Sequence, residues 1–385
     1  MPSEVTGRKD FSQSVGLPGA PLHAAAHSHH PWPDVTFAAQ EQAWRDAARL
    51  LDAKWDHIFQ AIIPAAQRHI ARQLNLPDPA TITFGPNTHS FVLRLLSCLP
   101  SKPRILTTGS EFHSFSRQIA RLEEEGAIIV TRTATEPFDT FEARFSEAAA
   151  KGGYDLVFFS HVLFDSGFVV ANPHAIVAAV PNDETFVVVD GYHAFMALPV
   201  DFAASAKRAF YLAGGYKYAM AGEGACFLHC PPSYGLRPRD TGWYSGFSAL
   251  EKSDGSVSYA SDGSRFLGAT FDVSALYRFN AVQDWLLSAH LSVKDMLAHV
   301  RKVEHAFLSE IFKAKYAIEP AELLVSDDAM RGRFLCFRIP EAAAITAKLA
   351  AQNIIVDNRG DGLRIGFGIY HGEDDAVRLA KALAV

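Results

Sequence analysis

Apolar positions along the chain change their spacing twice. Over residues 37–74, Trp44, Leu50, Leu51, Trp55, Ile58, Ile62 and Ile63 recur at near-helical intervals, which predicts one or two long helices. Short β-rich runs then alternate with helical stretches. The runs lie at 81–84, 105–108, 127–133, 155–164, 185–189, 208–212 and 225–229, and segments such as 115–125, 138–151 and 173–180 between them carry helical spacing. This alternation predicts a parallel or mostly parallel sheet with helices on both faces. The runs are apolar at successive positions, as strands covered on both sides require. Residues 232–272, rich in Gly, Ser, Asp, Tyr and Trp, show little periodicity and read as a long functional loop region. Helical spacing returns over 273–315, and the tail reads strand 333–339, helix 342–352, strands 354–356 and 363–367, helix 374–383. The expected fold is α/β, with a mostly parallel large domain over 37–272, a smaller α+β C-terminal domain over 273–385, and an N-terminal arm and segment over 1–36.

Composition narrows the function classes. The chain has 385 residues, 49% of them hydrophobic, with a formal net charge of −6, which argues against a dedicated nucleic-acid binder. No apolar run approaches a membrane span, and the polar start shows no signal peptide, so a cytoplasmic location is expected. Cys98, Cys226, Cys230 and Cys336 form no disulfide framework, and no second close pair accompanies Cys226 and Cys230. No metal is expected. The cluster His23, His27, His29, His30 has no carboxylate or cysteine at ligand spacing and reads as a polar segment near a domain boundary.

In open α/β sheets ligands bind beyond the carboxyl ends of the strands, and five predicted strands end in polar or Gly-rich turns. These are Gly85-Pro86-Asn87-Thr88-His89, Gly109-Ser110-Glu111-Phe112-His113, Ser160-His161-Val162, Asp190-Gly191-Tyr192-His193 and Gly214-Gly215-Tyr216-Lys217. A lysine and an aspartate at two such ends suit pyridoxal 5′-phosphate. That cofactor needs an amine to form an imine with its aldehyde. It also needs a carboxylate that favours protonation of its ring nitrogen, because the pyridinium is the electron sink. Its phosphate suits hydroxyls and backbone N–H groups at a turn that opens a helix, here at Asn87, Thr88 and His89. Taken singly these residues are ordinary turn, cap or core positions. Gly222-Glu223-Gly224 is too short for a dinucleotide fingerprint.

Taken in order, Asp190-x-x-His193, Gly215-Tyr216-Lys217 and Gly222-x-Gly224, with the Asn87-Thr88 turn, resemble the class V aminotransferase family of fold-type I PLP enzymes over roughly residues 20–385. The resemblance implies Lys217 as the Schiff-base lysine, Asp190 as the pyridinium partner, His193 near the ring hydroxyl and Phe112 stacked on the ring. It implies Asn87, Thr88 and Tyr216 at the phosphate, and a homodimer in which Gly268-Ala269-Thr270 reaches the neighbouring subunit's phosphate. It also implies Arg364 as the clamp on the carboxylate of a small amino-acid substrate. Ser28 and His29 line the substrate mouth on this view, and so does Trp243.

Within the family the chain is most similar to kynureninases, through Gly215-Tyr216-Lys217-Tyr218, Gly242-Trp243 with Arg265-Phe266 and Thr270, and Asp357-x-Arg359 with Leu363-Arg364-Ile365 and Ile369-Tyr370. Two stretches depart from that pattern: His27-Ser28-His29-His30, and Leu163-Phe164, where the family usually places a polar residue near the ring hydroxyl. Kynureninase-like hydrolytic Cβ–Cγ cleavage is the favoured expectation. Transamination, β-elimination and a non-catalytic PLP-fold regulator are the alternatives. Cysteine desulfurase activity is expected to be absent, because residues 352–370 hold no cysteine.

Overall fold

The computed structural model describes residues 7–249, 256–313 and 317–383. Parts of the expected loop region (250–255) and of the helical stretch (314–315) lie outside them. In chain order the strands are β1 Leu22–His23, β2 Ile82–Gly85, β3 Arg104–Thr108, β4 Ile129–Thr133, β5 Leu156–Ser160, β6 Phe186–Asp190, β7 Phe210–Ala213, β8 Cys226–His229, β9 Leu335–Arg338, β10 Ile354–Ile355, β11 Asp357–Arg359 and β12 Gly362–Ile365.

Seven of these form the central sheet in the order β2-β8-β7-β6-β5-β3-β4. β8 is antiparallel to both neighbours and the remaining pairings are parallel, so the sheet is mostly parallel as expected. Side chains of a strand alternate between faces, and here each face feeds its own core. Val157, Phe159, Val187, Val189 and Tyr211 join one cluster, which continues into the C-terminal segment through residues such as Leu335 and Phe367. Leu156, Phe158, Phe186, Val188, Phe210 and Leu212 join the other. The expectation of strands covered on both sides holds for β5, β6, β7 and β8, which are buried throughout. It fails for β4, which is exposed at three of its five positions because it is the sheet edge and has no strand beyond it.

Two further expectations are corrected. The run 155–164 does not continue as a strand past Ser160. The chain turns back there, with Gly167 at φ +77° and Val162 bridging Val169. The helical region 37–74 forms two stretches, within the one or two expected, Val35–Leu50 and residues 54–73, parted where Leu51 adopts φ 52°, but its apolar pattern does not all face inward. Trp44 and Leu51, read as part of one apolar pattern, are 73% and 68% exposed.

Beyond the central sheet, helix Ser274–Ser288 packs on Val35–Leu50 and Ile63–Gln73. Helix Val293–Ile311 then packs on Glu373–Ala382. The C-terminal sheet is antiparallel with order β11-β12-β9, and its register sets Asp357 directly opposite Arg364. β1 lies parallel to β10, and Ala25 bridges Gly366, so the N-terminal segment runs alongside this C-terminal unit. Among the described residues no helix is long and apolar enough to cross a membrane.

Candidate active site

The carboxyl ends of β3, β5, β6 and β7 and the turn after β2 meet at a cavity of about 180 Å³. It is lined by nine of the residues singled out in the sequence: Ser28, His29, Thr88, Phe112, Asp190, His193, Tyr216, Lys217 and Arg364. A mostly parallel sheet delivers its strand ends to one edge, which gathers the residues from 88 to 217, while Ser28 and His29 come from the N-terminal segment and Arg364 from the C-terminal sheet. Two glycines let the turns close. A Cβ on Gly191 would stand 2.0 Å from the Tyr211 ring, and one on Gly214 would stand 2.1 Å from the Tyr192 hydroxyl.

Lys217 follows the Gly214-Gly215 turn, and its Nζ donates to the carbonyl oxygens of His27 (3.0 Å) and Ser28 (3.5 Å). Burial, then the charge of Arg364, pulls its ammonium down to about 7. The amine is therefore largely in its nucleophilic form at slightly alkaline pH. Asp190, the last residue of β6, accepts from the Tyr192 N–H at 2.9 Å. Its carboxyl is pushed up to about 6 by burial. His193 is buried between Tyr218 and Phe334, its Nδ1 has no hydrogen-bond partner, and burial drives its imidazole well below the usual range. Burial raises the Tyr192 hydroxyl well above its usual range, and Tyr192 lines the cavity.

The turn after β2 opens the helix Thr88–Ser97. Asn87 caps it, its Oδ1 accepting from the Ser90 N–H at 3.0 Å. The unsatisfied first-turn N–H groups of such a helix favour an anion. Asn87 and His89 line a wider outer cavity of about 1290 Å³, which shares Thr88, Phe112, Tyr192 and Tyr216 with the inner one. Tyr216 stacks on His29 at 5.2 Å between ring centroids.

At the opposite wall Arg364 makes a two-pronged pair with Asp357, Nε to Oδ1 at 2.7 Å and Nη2 to Oδ2 at 2.6 Å, and its Nη1 donates to the Phe164 carbonyl at 2.6 Å. Three of about five guanidinium donors are thus committed, and the residue lines the inner cavity. Burial opposes ionisation of Asp357, but the bonds from His27 and Arg364 outweigh it and hold its carboxyl well below the usual range.

Two expected residues, Trp243 and Thr270, are brought into neither of these cavities. Trp243 is 45% exposed and donates through Nε1 to the Thr270 hydroxyl at 3.2 Å. Trp243 opens the 3-10 segment Trp243–Ala249, which packs on the segment Gly263–Phe266. The histidines also separate by role. His23 bonds the Tyr370 hydroxyl, His27 bonds Asp357, and His30 bonds its neighbouring Pro31 carbonyl.

Three residues quoted in the sequence motifs but given no role take part in the site. Asp357 is the counterion of Arg364, visible only through cross-strand register. Arg359 also lines the inner cavity. Glu111 is buried beneath it, accepting from the hydroxyls of Thr108 (2.7 Å) and Ser160 (2.6 Å), and burial pushes its carboxyl up to about 8. Its position in the turn Gly109-Ser110-Glu111-Phe112 was the available signal.

The donor set can be tested against pyridoxal phosphate from the structure alone. The buried Asp190 carboxylate lines the cavity and, among the described residues, accepts from one backbone N–H, as suits a site for a cationic ring nitrogen. Lys217 supplies an amine of lowered pKa for an aldehyde, and the turn at Asn87-Thr88 offers an anion site. The residues fit the group.

Comparison with known proteins agrees. The family model for class V aminotransferases matches residues 35–378. Among solved structures, a complex of the cystine C–S lyase C-DES with its reaction product cysteine persulfide superposes with a TM-score of 0.77 at 18% identity, covering 94% of this chain and 97% of that one. A C-DES mutant with glycine covalently linked to the PLP cofactor gives a TM-score of 0.77 at 18% identity over 98% and 99% of the two chains. The cysteine desulfurase CsdA from Escherichia coli gives 0.75 at 16% identity over 97% and 96%. At these identities the likeness establishes the fold. No curated protein matches the sequence.

Proposed function

This chain belongs to the class V aminotransferase family, its cofactor is pyridoxal 5′-phosphate, and from that premise we propose that it acts on a small α-amino acid, cleaving Cβ–Cγ hydrolytically in the manner of a kynureninase. The observation that carries the amino-acid part is that Lys217, Asp190 and Arg364 line one small cavity. Lys217 would attach the cofactor, Asp190 would hold its ring nitrogen, the Asn87-Thr88 turn its phosphate and Phe112 its ring face. When bound, the cofactor supplies the electron sink that labilises bonds at Cα.

The protein's own contributions follow from the site. The remaining donors of Arg364 take the substrate carboxylate, a planar two-pronged match that fixes the amino acid in one orientation. Lys217, whose ammonium burial pulls down to about 7, would accept and return the Cα proton. Hydrolysis of a side-chain ketone further needs a donor that polarises the carbonyl and a held water. Tyr192, protonated and on the cavity wall, supports that role, with Ser28 and His29 on the segment above. The motifs Gly215-Tyr216-Lys217-Tyr218 and Asp357-x-Arg359 with Arg364 support the kynureninase-like reading over transamination.

Desulfurase chemistry draws no support from this site, because no cysteine lines the cavity. Cys336 is fully buried in β9 with Sγ on the Asp165 carbonyl at 3.0 Å, and burial pushes its thiol up to about 12.

The placement of Trp243 and Thr270 outside both cavities at the candidate active site supports a homodimer whose partner completes the site. Incubation with kynurenine tests the reaction. Anthranilate and alanine as products are expected. No product, with the cofactor converted to its amine form, would replace hydrolysis by transamination.

A further inference from the structure

The N-terminal segment does more than cover the cavity. His27 is fully buried and joined to the site at both ends. Its carbonyl accepts from Lys217 Nζ at 3.0 Å, and its Nε2 lies 3.2 Å from Asp357 Oδ1. The imidazole stacks on Phe334 with centroids 4.8 Å apart and planes at 22°. Its other edge sits against the backbone of Gly366, where a Cβ would stand 2.3 Å from Nδ1. Nδ1 is buried without a partner, which fits a neutral ring carrying its proton on Nε2 and donating it to Asp357.

Asp357 is shared. Oδ1 accepts from both Arg364 Nε and His27 Nε2, Oδ2 accepts from Arg364 Nη2, and Arg359 Nη2 stands 3.6 Å from Oδ2. Two guanidinium groups therefore compete for one carboxylate on a short hairpin, and Arg359 is 44% exposed at its side chain. A carboxylate with two cationic partners has alternative arrangements, and a fixed neutral donor on Oδ1 selects among them. We propose that His27 is a positioning residue for the substrate carboxylate: by fixing Asp357 it fixes the orientation in which Arg364 presents its remaining donors. This rests on the reading of Arg364 as the carboxylate clamp.

The effect is specific to ligands that carry a carboxylate, and this separates it from a general structural role. The holoenzymes of wild type, H27F, H27Q and R364K are titrated with L-alanine and with ethylamine, which lacks the carboxylate. Binding is read from the change in cofactor absorption. Phenylalanine keeps an aromatic ring to stack on Phe334 but removes the donor. Glutamine keeps a donor that can reach Asp357.

Wild type is expected to prefer alanine. H27F should lose about tenfold of that preference, the scale of one hydrogen bond to a charged group, with ethylamine binding unchanged. H27Q should recover most of it. If H27F keeps the full preference, or loses alanine and ethylamine equally, His27 does not position the clamp. If H27F fails to retain cofactor, H27Q decides: a preference no better than that of R364K overturns the proposal. Equal or absent responses of wild type to both ligands would remove the small-amino-acid reading itself, and retention of the preference in R364K would remove Arg364 as the clamp.

Discussion

Burial sets the chemistry of Lys217. Its ammonium is drawn down to about 7 by desolvation and by Arg364, so the amine becomes free as pH rises through that value. The rate at which apoprotein captures added pyridoxal phosphate should rise about tenfold from pH 6 to pH 8 and then level off. A rate still climbing tenfold per unit above pH 9 would mean an unperturbed lysine. Borohydride should fix the cofactor on Lys217, and peptide mapping locates it.

Arg364→Lys keeps the charge but loses the fork. It should raise KM about tenfold or more while cofactor stays bound, and unchanged steady-state kinetics would remove Arg364 from the site. Glu111 makes a stability prediction. Its folded pKa, about 8, exceeds the ordinary carboxyl value, so the folded state holds a proton that the unfolded state has lost. Its contribution is complete at acid pH and is lost as pH rises through about 8. In denaturant titrations from pH 5 to pH 8, wild type should lose stability relative to E111Q. A constant difference would place the Glu111 pKa in the ordinary range.

Elements explain why some of this was legible and some was not. The strand runs were readable because a parallel sheet covered on both faces needs apolar residues at successive positions, and β5, β6 and β7 supply both cores. Their ends were readable because ligand-binding turns break that pattern with glycine and polar residues. The hairpin β11–β12 was only half visible. Asp357-Asn358-Arg359 is polar and short, so nothing in its periodicity marks a strand, yet its register creates the Asp357–Arg364 pair. The turn after β6 gives a test at this scale. Ala at Gly191 would place Cβ inside the Tyr211 ring contact, and overpacking of this kind costs about 2 kcal/mol. Gly191→Ala should lower the denaturation midpoint and weaken cofactor binding together, because Asp190 is the adjacent residue. Wild-type stability in that variant would show that the turn yields without strain.

At the level of the whole molecule, the single chain leaves Thr270 and Trp243 outside both cavities at the candidate active site. A dimer that exchanges this loop predicts complementation. Neither K217A nor T270A alone should be fully active, and mixed after mild dissociation they should form hybrids with one site carrying both native residues. Hybrids with no activity above the parents, or a wild type that is fully active as a monomer in sedimentation, would show that each chain builds its site alone.

The amino-acid sequence by itself determined the α/β class, the strand ends that carry chemistry, and the cofactor, because each depends on local patterns: apolar runs, turn glycines, and a lysine and an aspartate at neighbouring strand ends. Only the tertiary structure decided how those groups behave. The lowered pKa of Lys217 comes from burial and from an arginine 147 positions away in the chain. The pairing of Arg364 with Asp357 comes from β-register, and the contact of His27 with Asp357 comes from a segment laid along the C-terminal sheet. Local composition carries no information on which distant side chains share a low-dielectric pocket, and that sharing sets charge state and orientation.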